Sequence, residues 1–305
     1  MTGARKPDFF IVGAPKCGTT ALSAWLREHP RVFISQPKEP HYFAFDFPSR
    51  RNASTLDEYL GLFANADERH LAVGEASVWY LYSDVAIPEI MRFNPAARIV
   101  VMVRNPVELV PSLHAQLRYS ADEDEPNLET AWRRQDERAR GRGLPESPLE
   151  AAMYRYRAVA MLGAQIERAL GAVPREQLRI VVFDDLAADP QAVYRDVLAF
   201  LAVPPDGRAV FPRVNESKVN RSARLKRILA HPPPLVRAMR LLRRIPGVRP
   251  AYVSLVERIQ GLNTRKDERP PLAPEFRREL AQAFRDDVER LGAILDRDLG
   301  HWLNP

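Results

Sequence analysis

The sequence predicts an α/β fold in which a central parallel sheet is flanked by helices, with a helical C-terminal part. Three observations predict it. Short apolar runs alternate with stretches of helical periodicity from the N-terminus to about residue 201. The first run ends in a glycine-bounded loop, GAPKCGTT, that leads straight into a helix. From about residue 213 the pattern turns helical and basic. The loop makes the expected architecture P-loop-like and three-layered.

The elements follow in order. Residues 8–13 (DFFIVG) form a short apolar run closed by glycine and read as a buried strand. Ala21, Leu22, Trp25 and Leu26 then share one helical face over residues 18–28, and Pro30 ends it. Residues 32–35 read as a second short strand, and the proline-broken stretch 36–47 as a loop. Thr55 and Glu58 have capping-box spacing ahead of a helix over 59–64. Residues 71–75 and the β-branched run 98–103 are further strands, each followed by a helix. Polar residues 120–148 read as an excursion or lid rather than core. A helix over 149–171, a strand over 178–183 and a helix over 190–201 complete the alternation. An amphipathic helix over 275–295 lies near the C-terminus. No linker divides the chain, so residues 1–305 are expected to be one domain.

Composition narrows the function. The chain has 305 residues, 46% hydrophobic and 28% charged, enough to bury a core. No apolar run reaches the roughly 18 residues of a membrane-spanning helix. The apolar run near the N-terminus is too short for a signal peptide. The single cysteine, Cys17, excludes an internal disulfide and a multi-cysteine metal site. A cytoplasmic, reducing setting is the expectation. The net charge of +6 is concentrated: residues 213–249 hold eleven Lys/Arg against Glu216, a net of +10 that leaves −4 elsewhere. That segment suits a solvated helix face, a peripheral contact with an anionic membrane, or an anionic ligand.

The loop of residues 13–20 is the most informative motif. A glycine turn between strand and helix presents unpaired backbone N–H groups and the positive end of the helix dipole to an anion. Gly13 and Gly18 allow close approach, and Thr19 and Thr20 add hydroxyl donors. The spacing is that of a nucleoside-triphosphatase loop, but Thr19 stands in the lysine position and the lysine has moved to Lys16. That displacement weakens a kinase or ATPase reading. A second block follows the run 98–103: Arg104 leaves its end and Ser112 comes eight residues later, about two turns down a helix.

PKCGTT after an N-terminal strand resembles the 5′-phosphosulfate loop of sulfotransferases that use PAPS (3′-phosphoadenosine 5′-phosphosulfate). The resemblance implies that Lys16, Cys17, Gly18, Thr19 and Thr20 hold the 5′-phosphosulfate, with Lys16 stabilising charge on the departing phosphate. Arg104 and Ser112 match the family's 3′-phosphate signature. The block KEPHYF (residues 38–43) resembles that of heparan-sulfate-type and other carbohydrate sulfotransferases, which implies Glu39 as general base and His41 as its neighbour near the acceptor. A carboxylate suits that role if burial raises its pKa. Ser77 and Trp79, after the third strand, are implied to line the acceptor pocket, or else pack the strand end. Ala76 stands where a lysine often sits in the glycosaminoglycan enzymes, a departure from the pattern. The stretch 215–222 resembles the family's late donor loop, with Lys218 and Arg221 as contacts, though the expected glycine is missing. The stretch from Arg297 to Trp302 looks like the C-terminus of bacterial members.

The expected function is therefore sulfuryl transfer from PAPS to a hydroxyl or amine of a carbohydrate, glycolipid or secondary metabolite. The chemistry requires no metal, since lysine and arginine supply the charge, and no nucleic-acid motif is present. The rivals are a P-loop kinase-like phosphotransferase and a non-catalytic nucleotide- or polyanion-binding module.

Overall fold

The computed structural model describes residues 5–147, 149–212, 218–220, 264–266 and 271–304. Among them, the first compact unit is built on a five-stranded parallel sheet in the order β2-β3-β1-β4-β5. Its strands are β1 (Phe9–Gly13), β2 (Val32–Ile34), β3 (Ala72–Ala76), β4 (Arg98–Val103) and β5 (Leu178–Val182). Four lie within the runs where apolar periodicity places strands, and β3 extends one residue past the run 71–75. β1 is the central strand, paired in parallel with β3 on one side and β4 on the other. Every residue of β1 and β3 is buried, as expected of strands covered on both faces.

Helix α1 (Thr19–Arg27) follows β1 and packs on β2 and β3. Its apolar face is Leu22, Trp25 and Leu26, the face the sequence periodicity indicates. Helix α2 (Leu56–Gly61) opens with the expected capping box: Glu58 N–H donates to Thr55 Oγ1 at 3.2 Å, and Glu58 Oε2 accepts from Thr55 N–H. Such a cap is worth about 1 kcal/mol. Helix α3 (Ala86–Phe93) precedes β4, and α4 (Pro106–Ser120) follows it.

The stretch expected as one helix over 149–171 is broken. A short 3₁₀ turn (Ala151–Tyr154) leads to α7 (Tyr156–Ala160) and then α8 (Leu162–Leu170). Met161 takes ψ 74, which interrupts the helical path. Helices α9 (Phe183–Ala188) and α10 (Pro190–Phe200) follow β5. The C-terminal helix α11 (Pro274–Leu295) packs on α8. Its buried Asp287 accepts from the N–H groups of Gly163 and Ala164, each at 2.8 Å, and so satisfies the open first turn of α8. Arg297 pairs with Asp185 at 2.6 Å, and the indole of buried Trp302 donates to Asp184 at 2.7 Å.

The second compact unit contains Pro111–Tyr154 and an antiparallel ribbon of β6 (Lys218–Asn220) and β7 (Thr264–Lys266). The polar stretch read as an excursion carries α5 (Leu128–Arg133) and α6 (Gln135–Ala139). Arg138 and Glu123, both fully buried, form a two-pronged ion pair at 2.6 and 2.9 Å. Polar composition hid this pair, because two opposite charges buried together look like surface in a sequence. The ribbon is a departure from the helical expectation after residue 213. Apart from its strands, residues 213–249 lie outside the described residues.

Candidate functional site

The parallel sheet brings the loops after β1, β2, β3 and β4 to one edge, at the carboxyl ends of the strands. The chain turns from β1 to its left-hand neighbours and later to β4 on its right. Such a point in an open α/β sheet is where ligands bind.

The loop after β1 is tightly constrained. Gly13 has φ 141, and a Cβ there would come within 2.5 Å of the carbonyl oxygen of Val78. Gly18, the N-cap of α1, has φ 90, and a Cβ would meet Leu186 and Phe183 of α9 at 2.9 and 3.1 Å. Only glycine fits either position without strain. Thr19 and Thr20 open the helix, where backbone N–H groups have no intrahelical partner. The Cys17 thiol is buried beneath the loop, and burial pushes it up to about 12 despite the pull of nearby Arg104, so it stays protonated.

Arg104 leaves β4 beside this loop. Its guanidinium lies over the ring of Phe183 at 4.7 Å and donates to the carbonyl of Lys16 at 3.4 Å. Stacking holds the planar fork while leaving donors in its plane for an anion. Phe183 escaped the sequence reading, which took it as the last apolar residue of the strand 178–183, whereas it opens α9. Ser112 is buried on α4, in the second unit, and Lys218 lies on β6. Arg221 lies outside the described residues.

The loop after β2 carries the other candidates. Glu39 N–H donates to the carbonyl of Ala76 at 3.1 Å, which ties the loop to the end of β3. Glu39 Oε1 accepts from Lys38 Nζ at 2.6 Å, and its Oε2 lies 3.8 Å from His41 Nε2. His41 is 2% exposed, and among the described residues neither ring nitrogen has a hydrogen-bond partner. Burial lowers its pKa to about 4, with Arg50 and Lys38 adding to the effect, so the ring is neutral at physiological pH.

Glu39 departs from the expectation of a raised pKa. Burial does push it up, but Lys38 and Arg50, with His41 where acid protonates it, pull it below the usual carboxylate value. The carboxylate is therefore ionised and ready to accept a proton, with Lys38 restraining its basicity.

Backbone conformation singles out the same residues. Among the described residues, six non-glycine positions have positive φ, and three of them are Lys16 (φ 65), Glu39 (φ 69) and His41 (φ 49). Left-handed non-glycine residues cost of order 1–3 kcal/mol and concentrate at functional sites.

Ser77 and Trp79 follow β3 and are both buried. Ser77 Oγ accepts from His41 N–H at 3.0 Å and donates to Glu75 at 2.5 Å. Trp79 packs against Phe47 and Tyr82, with Arg50 5.7 Å from its ring. Sequence reasoning passed over Lys38, Arg50 and Glu75. Glu75 left a usable signal, a lone acid in the otherwise uncharged strand AVGEA.

Comparison with known proteins decides the family, since the sulfotransferase domain model matches residues 6–222. The chain belongs to the sulfotransferase domain family. A crystal structure of a sulfotransferase from Alicyclobacillus acidocaldarius superposes with a TM-score of 0.70 at 28% identity, covering 98% of this chain and 100% of that one. Human carbohydrate sulfotransferase 15 is 33% identical over 143 residues, 33% of this chain and 26% of that protein. Human bifunctional heparan sulfate N-deacetylase/N-sulfotransferase 3 is 29% identical over 205 residues, 66% of this chain and 23% of that protein. The chain thus spans about a quarter of the length of these two sulfotransferases. The matched range includes the β1 loop, the Glu39 loop and Arg104, so the family assignment covers the strand-edge cluster. No described helix is long and apolar enough to cross a membrane.

Proposed function

We propose that this sulfotransferase moves the sulfuryl group of PAPS to a hydroxyl or amine of a carbohydrate-type acceptor, with Glu39 as base. The observation that carries the reading is the convergence of strained Lys16, Glu39 and His41 with Arg104 on one sheet edge. Left-handed backbone at three such residues persists only where the surrounding structure over-determines it, and such positions cluster at functional sites.

The 5′-phosphosulfate of PAPS suits the amides of Gly18, Thr19 and Thr20, and the Arg104 fork suits its 3′-phosphate. The acceptor oxygen or nitrogen attacks sulfur in line. Its proton passes to Glu39, the bond between sulfur and the bridging oxygen breaks, and adenosine 3′,5′-bisphosphate departs with the electron pair. Lys16 offsets the charge that develops on that oxygen, as cations do in phosphoryl transfer. Neutral His41, with both ring nitrogens unpartnered among the described residues, can hydrogen-bond an acceptor hydroxyl. Roles for Ser112, Lys218 and Arg221 in donor binding, and for Trp79 beside the acceptor, rest on the sequence resemblance alone. The carbohydrate class rests on the matched regions of carbohydrate sulfotransferase 15 and the heparan sulfate enzyme.

The test is transfer from ³⁵S-labelled PAPS to N-desulfated heparan and chondroitin sulfate oligosaccharides and to simple glycosides, alongside thermal shift with the bisphosphate. Labelled product that disappears in Glu39→Gln, while the bisphosphate still raises Tm, is the expected result. No Tm rise with PAPS or bisphosphate, together with a rise on ATP–Mg²⁺, would overturn the donor assignment in favour of phosphoryl transfer.

A further inference from the structure

We propose that Glu75 is the positioning residue of the Glu39 loop: its carboxylate orients the hydroxyls of Ser77 and Tyr80 so that both accept from that loop's backbone. The role rests on the reading of Glu39 as base, but its geometry is independent of that reading.

Glu75 is fully buried in β3. A buried carboxylate is costly unless it is well hydrogen-bonded. Three hydroxyls converge on it. Tyr59 of α2 and Tyr80 donate to Oε1, each at 2.9 Å, and Ser77 donates to Oε2 at 2.5 Å. A hydroxyl has one proton to give. When ionised, as it is above about pH 7, the carboxylate only accepts, so Ser77 and Tyr80 spend their protons on it and their lone pairs face outward. Those lone pairs take up the loop: His41 N–H donates to Ser77 Oγ at 3.0 Å, and Phe43 N–H donates to Tyr80 OH at 3.2 Å.

The loop needs such a hold. Glu39 and His41 both have left-handed backbone, which a free loop would relax. Aromatic packing helps, with Tyr42 stacked on Tyr59 at 4.7 Å and Phe43 edge-on to it at 5.2 Å. Packing is less directional than hydrogen bonds, however, and it does not fix the two amides. A purely structural residue here would more simply be apolar, because the neighbouring strand positions are apolar and buried. Burial raises the Glu75 carboxyl to about 7; the three hydroxyls pull it down and the charge of Glu39 pushes it up.

Glu75→Gln keeps the shape but replaces one acceptor oxygen by a donor, so one hydroxyl loses its acceptor and must reorient. Amide hydrogen exchange is measured on the full chain with adenosine 3′,5′-bisphosphate bound. The His41 and Phe43 amides should exchange at least tenfold faster, while those of β1 and α1 keep their protection. With the acceptor that turns over in the panel above, kcat should fall at least tenfold, and Kd for the bisphosphate should stay within twofold. Unchanged protection at both amides overturns the proposal. If Glu75→Gln does not fold, Ser77→Ala severs one link alone. It should speed exchange at His41 and spare Phe43; unchanged exchange at His41 again overturns the proposal. Lost protection in Glu75→Gln beside full transfer in Glu39→Gln would uphold the loop clamp and refute the base assignment.

Discussion

Lys38 Nζ sits 2.6 Å from Glu39 Oε1, so the carboxylate assigned as base is held by a cation from the preceding residue. The contact keeps Glu39 ionised and also lowers its proton affinity. Lys38→Met removes the cation. The Glu39 pKa should then rise, and the acid limb of the kcat/KM profile should move to higher pH, since the base must be deprotonated to act. Measuring the pH–rate profile of both proteins checks this. An acid limb that stays in place or moves to lower pH would show that the limb does not belong to Glu39.

Arg104 and Lys16 should separate donor binding from chemistry. Arg104→Ala removes a charged, stacked fork, and charge-assisted hydrogen bonds of this kind are worth about 1.5–3 kcal/mol. Affinity for the bisphosphate should drop by roughly one to two orders of magnitude, read by calorimetry. Lys16→Ala should lower kcat more than it lowers bisphosphate affinity, because the charge it meets develops in the transition state.

Gly18→Ala should destabilise the protein and weaken donor binding together. The new methyl meets Leu186 Cδ2 at 2.9 Å, on a backbone with φ 90. A cost of about 1–3 kcal/mol is expected from the strained backbone alone, measured by urea denaturation. A variant as stable as the parent, with unaltered bisphosphate affinity, would argue against the close seat of this loop on α9.

Glu75 and His41 should give stability opposite slopes with pH. The Glu75 carboxyl is raised from 4.5 to about 7, so the folded protein keeps a proton that the unfolded chain releases. Its contribution is full below about 4.5 and is lost as pH climbs through about 7. His41 is lowered from 6.5 to about 4, so the unfolded chain binds a proton that the folded one refuses. Its contribution is full above about 6.5 and is lost as pH falls to about 4. Each is of order 3 kcal/mol, and they offset where the windows overlap. Asp8, raised to about 6 by burial, adds to the Glu75 slope in every variant. In urea denaturation between pH 4.5 and 6.5, Glu75→Gln should gain stability with rising pH more steeply than the parent. His41→Asn should lose it. Parallel slopes would contradict both shifts.

Sequence alone determined the order of the strands in the first unit, but not the break of the 149–171 helix or the presence of α9. Five strands, the helices α1, α10 and α11, and the capping box at Thr55 all follow from periodicity and end signals, which act over a few residues. It also determined the displaced lysine, and the family comparison bears out the resemblance to sulfotransferases. Only the tertiary structure decided the environment of each candidate. Lys38 and Arg50, with His41 where acid protonates it, outweigh burial in setting the charge of Glu39, and Phe183, remote in sequence, is the ring under Arg104. Three hydroxyls make Glu75 a tolerable buried acid. These depend on what the parallel sheet brings to one edge, and a pKa or a hydrogen-bond direction is set by neighbours in space. Local pattern can say that a loop binds an anion; the fold decides which side chains surround it and in which protonation state.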